Sequence, residues 1–160
     1  MKYLLITVIM ALGLFLLFGY SRYLAAREAE CQGFLSLLRH IKGRVSGFLT
    51  PAAEAARSFS CSALEANGFL PSLREGKGLD GAFAASESVT GLPAGAVELL
   101  REYFCRSGRW NLEGELASID LCIAELETLL KEESGERKNR ARVAGALIFA
   151  LTVGGAILLL

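Results

Sequence analysis

Residues 31–48 read CQGFLSLLRHIKGRVSGF, and within them Cys31, Phe34, Leu38, Ile41, Val45 and Phe48 step by three and four residues in alternation. That is heptad spacing. It lines six apolar side chains along one seam of a helix, whereas a half-buried strand would alternate with a period of two. A second seam answers it further along, where Leu112, Leu116, Ile119, Ile123, Leu126 and Leu130 step by four and three. No run of alternating Val, Ile, Thr and aromatic residues competes with these patterns. The expected fold class is all-α. Taken as helices, residues 21–49 and 111–142 each rise about 45 Å at 1.5 Å per residue, which suits them to pair as a long antiparallel stalk.

Beyond the seams the chain turns apolar. Leu4–Tyr20 and Val143–Leu160 carry no charged residue, and they account for a 160-residue chain that is 52% hydrophobic with a mean hydropathy of +0.40. As helices they reach about 26 and 27 Å, close to a hydrocarbon core of about 30 Å. The rival reading of the first is a cleaved signal peptide, with Lys2 as its basic end and Leu24-Ala25-Ala26 as its cleavage site. Its apolar stretch is longer than such segments need, and the helical pattern runs past the supposed cut. The expected organisation is a transmembrane helix over 3–20, a helical domain over 21–142, and a second transmembrane helix over 143–160.

Charge sets the orientation. Arg137, Lys138, Arg140 and Arg142 crowd the entry to the second span and Arg22 and Arg27 follow the first, while Lys2 alone lies beyond. Basic flanks stay in the cytoplasm, so the central domain is expected there, with a membrane bilayer as its anchor. Residues 21–142 hold 16 basic and 17 acidic residues, a net of −1. That balance argues against nucleic acid, whose phosphates demand an excess of Lys and Arg. Cys31, Cys61, Cys105 and Cys122 form no CxxC pair and read as small apolar groups in a reducing compartment.

Turn chemistry fills the middle. Thr50-Pro51 reads as an N-cap followed by proline at N1, opening a short helix to Phe59. Asn67-Gly68 and Pro71 punctuate the next stretch, Gly76-Lys77-Gly78 is a turn, and Leu79–Glu87 is a small-residue helix. Thr90-Gly91-Leu92-Pro93 starts a helix with Val97, Leu100, Tyr103 and Phe104 on one face, Gly108 stops it, and Asn111 caps the last long helix.

Catalytic residues are not apparent. His40, the single histidine, sits in a basic run with no nucleophile motif. Gly76-Lys77-Gly78 lacks the spacing of a phosphate loop, and the glutamates of 125–136 lie on a charged helix face away from metal-ligand spacing. No catalytic residue, metal site, cofactor or small-molecule substrate is expected. Two features suit association instead. In the second span Ala146, Ala150 and Gly154 fall four apart with Gly155 beside them, a face smooth enough for another helix. The charged stalk faces, with Glu28, Glu30, Arg39, Lys42, Lys131, Glu132 and Glu133, suit a cytoplasmic partner.

The order of these features resembles a known family. A short N-terminal span edged by Gly19-Tyr20, a heptad helix, Thr50-Pro51 then Glu54-Ala55, and Glu75-Gly76-Lys77-Gly78-Leu79 before Ala82-Phe83 resemble the stage III sporulation protein AB family of endospore-forming bacteria. Ser107-Gly108, then Leu112-Glu113-Gly114-Glu115-Leu116, a basic run and a final span opening at Ala144-Gly145 continue it. Thr50, Pro51, Gly76, Gly78 and Gly108 are its structural motif residues. Phe83, where members commonly carry tryptophan, and Glu115, where they often carry glutamine, depart from it.

The resemblance implies a multi-pass protein of the mother-cell membrane around the forespore, needed for forespore development after engulfment. It implies a helical domain like the F-domain platform of type II secretion, which engages a cytoplasmic secretion-type ATPase, and partners among the other membrane proteins of the sporulation channel. A competing class is a small membrane sensor or regulatory adaptor whose coiled stalk transmits a signal.

Overall fold

The computed structural model describes the backbone of residues 2–159 and the side chains of residues 18–132, with a few positions on either side. Among the described residues there are seven helices and no strand. They are α1 (Lys2–Phe48), α2 (Ala52–Arg57), α3 (Ser62–Ala66), α4 (Phe69–Arg74), α5 (Leu79–Ser86), α6 (Ala94–Arg106) and α7 (Leu112–Leu159). The chain divides into two compact units, Met1–Ala25 with Lys131–Leu160, and Ala26–Leu130. The spans read from the sequence, Leu4–Tyr20 and Val143–Leu160, have most of their side chains outside the described set. Among the described residues no helix is long and apolar enough to cross a membrane.

The central unit is built on both seams. Cys31, Phe34, Leu38, Ile41 and Val45 of α1 are buried, as the heptad requires. Leu35 and Leu37 are buried too, so α1 presents a stripe wide enough to pack on two sides. On α7 the fully buried positions are Ile119 and Leu126, with Cys122 between them, while Leu116, Ile123 and Leu130 pack at the margin. Cys122 and Ile123 flank the Ile119–Leu126 line on opposite sides, and the side of Cys122 and Glu115 is the one that is buried.

The two helices run antiparallel, as expected. Arg39 pairs with Glu127 and Lys42 with Asp120, each at 2.6 Å, so advancing along α1 means retreating along α7. These exposed pairs contribute little stability, but they fix the register.

The short helices close over α1. Phe34 of α1, Phe69 of α4, Phe83 of α5 and Phe104 of α6 form one aromatic cluster, with centroids 5.3 Å apart for Phe34–Phe69 and for Phe83–Phe104. Most of these contacts are edge-on or tilted, the arrangement that ring quadrupoles favour. Phe83 is buried among them.

Three local expectations need correction. Pro51, not Thr50, occupies the N-cap of α2: its ψ of 141° is still extended, while its carbonyl accepts the first helical bond from Ala55 N–H at 2.9 Å. The helix accordingly stops at Arg57, short of Phe59. The stretch around Asn67-Gly68 and Pro71 contains α3 and α4, with Pro71 as the third residue of α4. A proline is tolerated in a first turn because its missing N–H has no helical acceptor there. Phe48, the last residue of the first seam, is 72% exposed; α1 ends at it, and no described element covers it.

Candidate functional site

Two buried carboxylates organise the central unit. Glu30 lies on α1 at 7% exposure. It accepts from Asn67 Nδ2 at 2.6 Å, Thr90 Oγ1 at 2.9 Å and Gly91 N–H at 2.6 Å. Beside it, Arg27 Nε donates to the Gly91 carbonyl. One α1 side chain thus ties down both the α3–α4 turn and the α5–α6 loop. Gly91 is required by this approach, since a Cβ there would lie 2.7 Å from Arg27 Cγ and 3.0 Å from Glu30 Oε2. The sequence pattern puts Glu30 on a charged face open to partners; the structure uses it internally, because the loops that reach it arrive from far along the chain.

Glu115 is the counterpart on α7, 6% exposed. It accepts from Ser107 Oγ at 2.8 Å, Gly108 N–H at 3.1 Å and Tyr103 Oη at 3.4 Å. Gly108, at φ +79°, lets the chain leave α6 sharply enough to bring its N–H there. Burial, reinforced by the Glu115 charge, holds the Tyr103 phenol well above its ordinary range. Burial, with Glu125 nearby, pushes the Cys122 thiol up to about 12. Asn111 caps α7 as expected, its Oδ1 accepting from Gly114 N–H at 3.0 Å.

His40 is placed beside a hydroxyl of the α2 C-terminus. His40 Nε2 lies 3.0 Å from Ser58 Oγ. The serine hydroxyl also lies 2.7 Å from the Ala55 carbonyl and donates there when the imidazole Nε2 carries the proton. Among the described residues, no three or more His, Cys, Asp or Glu side chains are placed to hold a metal ion.

The remaining residues singled out by sequence are dispersed. Gly76 ends α4 at φ +96°, whereas Gly78 caps α5 at an ordinary φ of −65°. Glu28, Lys131 and Glu132 are exposed; the side chain of Glu133 lies outside the described residues. Arg39 and Lys42 hold α7. Ala146 and Ala150 are exposed on α7, and the surroundings of Gly154 and Gly155 lie outside the described residues.

Sequence reasoning missed an exposed apolar end on the central unit. Phe48 and Leu49 close α1, and Trp110 and Leu112 open α7; they are 72%, 71%, 55% and 41% exposed. From the Lys42–Asp120 pair, α1 runs about 9 Å to Phe48 and α7 about 12 Å back to Leu112, so the four gather at one end. The lone tryptophan and a Phe-Leu at a helix end were the available signals.

The helical architecture and the full run of motifs converge on one family. The family model for stage III sporulation protein AB (spore_III_AB) matches residues 2–160. No curated protein and no solved structure matches the chain. The chain belongs to the stage III sporulation protein AB family.

Proposed function

We propose that this protein is a membrane-anchored helical platform in the sporulation complex joining mother cell and forespore, and that its central helical unit receives a cytoplasmic secretion-type ATPase. The observation that carries this is the family match, which runs the length of the chain and makes a part in sporulation with other sporulation proteins the shared ground. The apolar segments Leu4–Tyr20 and Val143–Leu160 serve as its anchors, and the basic residues beside them keep residues 21–142 in the mother-cell cytoplasm. The role is structural. The buried carboxylates Glu30 and Glu115 are saturated by internal donors, which ties them to holding the helices together.

Affinity capture tests this reading. The tagged full chain, extracted in mild detergent from sporulating cells, is expected to retain a secretion-type ATPase. Recovery of the chain with other sporulation membrane proteins but without that ATPase would remove the platform role.

A further inference from the structure

The near-zero charge of residues 21–142 conceals a separation along the chain. Residues 21–26, which follow the first apolar segment, and residues 137–142, which precede the second, hold Arg22, Arg137, Lys138, Arg140 and Arg142 and no acidic residue. Residues 27–136 hold 11 basic and 17 acidic residues, a net of −6. Both basic stretches are helical, in α1 and in α7, and each helix continues without a break into its apolar segment. At 1.5 Å per residue the five basic positions fall within about 9 Å of an apolar boundary, a depth comparable to the Debye length at physiological salt.

Neighbouring carboxylates offset only part of this charge. Side chains three and four residues apart are neighbours on a helix, which puts Glu133 in register with Arg137 and Glu136 with Arg140. Lys138 and Arg142 are four apart on one helix face, and no acidic residue stands three or four positions from either; the same holds for Arg22. Basic flanks orient a chain in any register. A like-charged pair in register is unfavourable unless an anion bridges it, and the phosphodiester of a lipid headgroup supplies that anion at this depth.

We propose that Arg22, Lys138 and Arg142, supported by Arg137 and Arg140, form a collar that binds the headgroups of anionic phospholipids, whose phosphodiester has no amine to offset it. This rests on the anchor reading above, in which Leu4–Tyr20 and Val143–Leu160 lie in the bilayer, and adds to it a class of lipid. The net negative charge of residues 27–136 gives the rest of the chain no such attraction.

The full chain reconstituted in phosphatidylcholine vesicles with trace spin-labelled lipid provides the test, since electron paramagnetic resonance separates lipid held against protein from bulk lipid. Spin-labelled phosphatidylglycerol is expected to associate at least about 3-fold more strongly than spin-labelled phosphatidylcholine, and about 0.5 M NaCl to erase the difference. Lys138→Gln with Arg142→Gln should at least halve the preference, whereas Lys138→Arg with Arg142→Lys should keep it. Arg57→Gln with Arg109→Gln, at exposed positions of the central unit, is the control expected to match the parent. Held lipid with no headgroup preference, or a preference that the glutamine pair leaves intact, overturns the collar while the anchors stand. The collar is equally overturned if inorganic phosphate abolishes the preference at an ionic strength where chloride leaves it intact, because the residues then form a free-phosphate site. If the parent holds no lipid of either kind, the anchor reading falls as well.

Discussion

Glu115 offers a test in which two substitutions at one position should part company. As a carboxylate it accepts from Ser107, Gly108 and Tyr103. Glutamine has one acceptor and one donor end, yet the site can take it. Its oxygen turned to Gly108 N–H leaves the amide to donate to Ser107 and Tyr103, whose hydroxyls rotate from donor to acceptor. All three partners keep a hydrogen bond to the side chain, and the loss of charge assistance and of the hydroxyls' acceptor costs about 1 kcal/mol.

Alanine has no such remedy. Tyr103, 4% exposed, is left with a buried hydroxyl, and with the two other bonds lost the cost reaches about 3 kcal/mol. In a domain of this size 1 kcal/mol moves the melting temperature by about 5 °C. Glu115→Gln should therefore lower it by about 5 °C and Glu115→Ala by about 15 °C. Trp110 is the only tryptophan and packs beside this turn, so its fluorescence during a thermal scan of the full chain in detergent reports the site directly. Equal losses for the two variants would refute the hydroxyl-rotation argument. A loss below about 2 °C for alanine would show that Glu115 does not hold the turn.

Glu30→Ala, which strands donors from Asn67, Thr90 and Gly91, should cost about 3 kcal/mol by thermal circular dichroism, and Thr90→Val about 1 kcal/mol. Phe34→Ala opens a cavity in the aromatic cluster and should cost about 3–5 kcal/mol, with Phe34→Leu costing less than half of that. Maleimide at neutral pH should modify exposed Cys105 first and spare buried Cys31 and Cys122 until unfolding; in whole cells an impermeant maleimide should leave Cys105 untouched. Cys122 and Tyr103 hold their protons more tightly folded than unfolded, so stability should be full below about pH 9 and fall as pH rises toward 12, read as a lower urea midpoint at pH 10.5 than at pH 8.

The long helices were legible because a seam of six apolar positions at three- and four-residue steps outweighs any local ambiguity. Arg39, Lys42, Asp120 and Glu127 then confirmed the pairing direction that equal lengths suggested. The shorter elements were not legible in the same way. Helices α3 and α4 are too short to show a period, and they exist because Leu64, Phe69, Leu70 and Leu73 are buried against the rest of the unit.

Glu30 and Glu115 were illegible for a different reason. A carboxylate on a helix reads as solvated, and only partners 37 to 61 residues away for Glu30 reveal otherwise. Glu115 reads in sequence as one more acidic residue in the first turn of the last helix, and its purpose depends on the left-handed turn at Gly108. The exposed end escaped notice because Phe48 and Leu112 fit their seams in sequence and lie beyond the packed length of the pair in space.

A clean deletion of the gene in its sporulating host puts the proposed role to its sharpest test. Vegetative growth should be unimpaired and engulfment completed, after which forespore development should arrest, and the intact chain supplied in the mother cell should restore it. Heat-resistant spores at the parental frequency from the deletion strain would contradict the role.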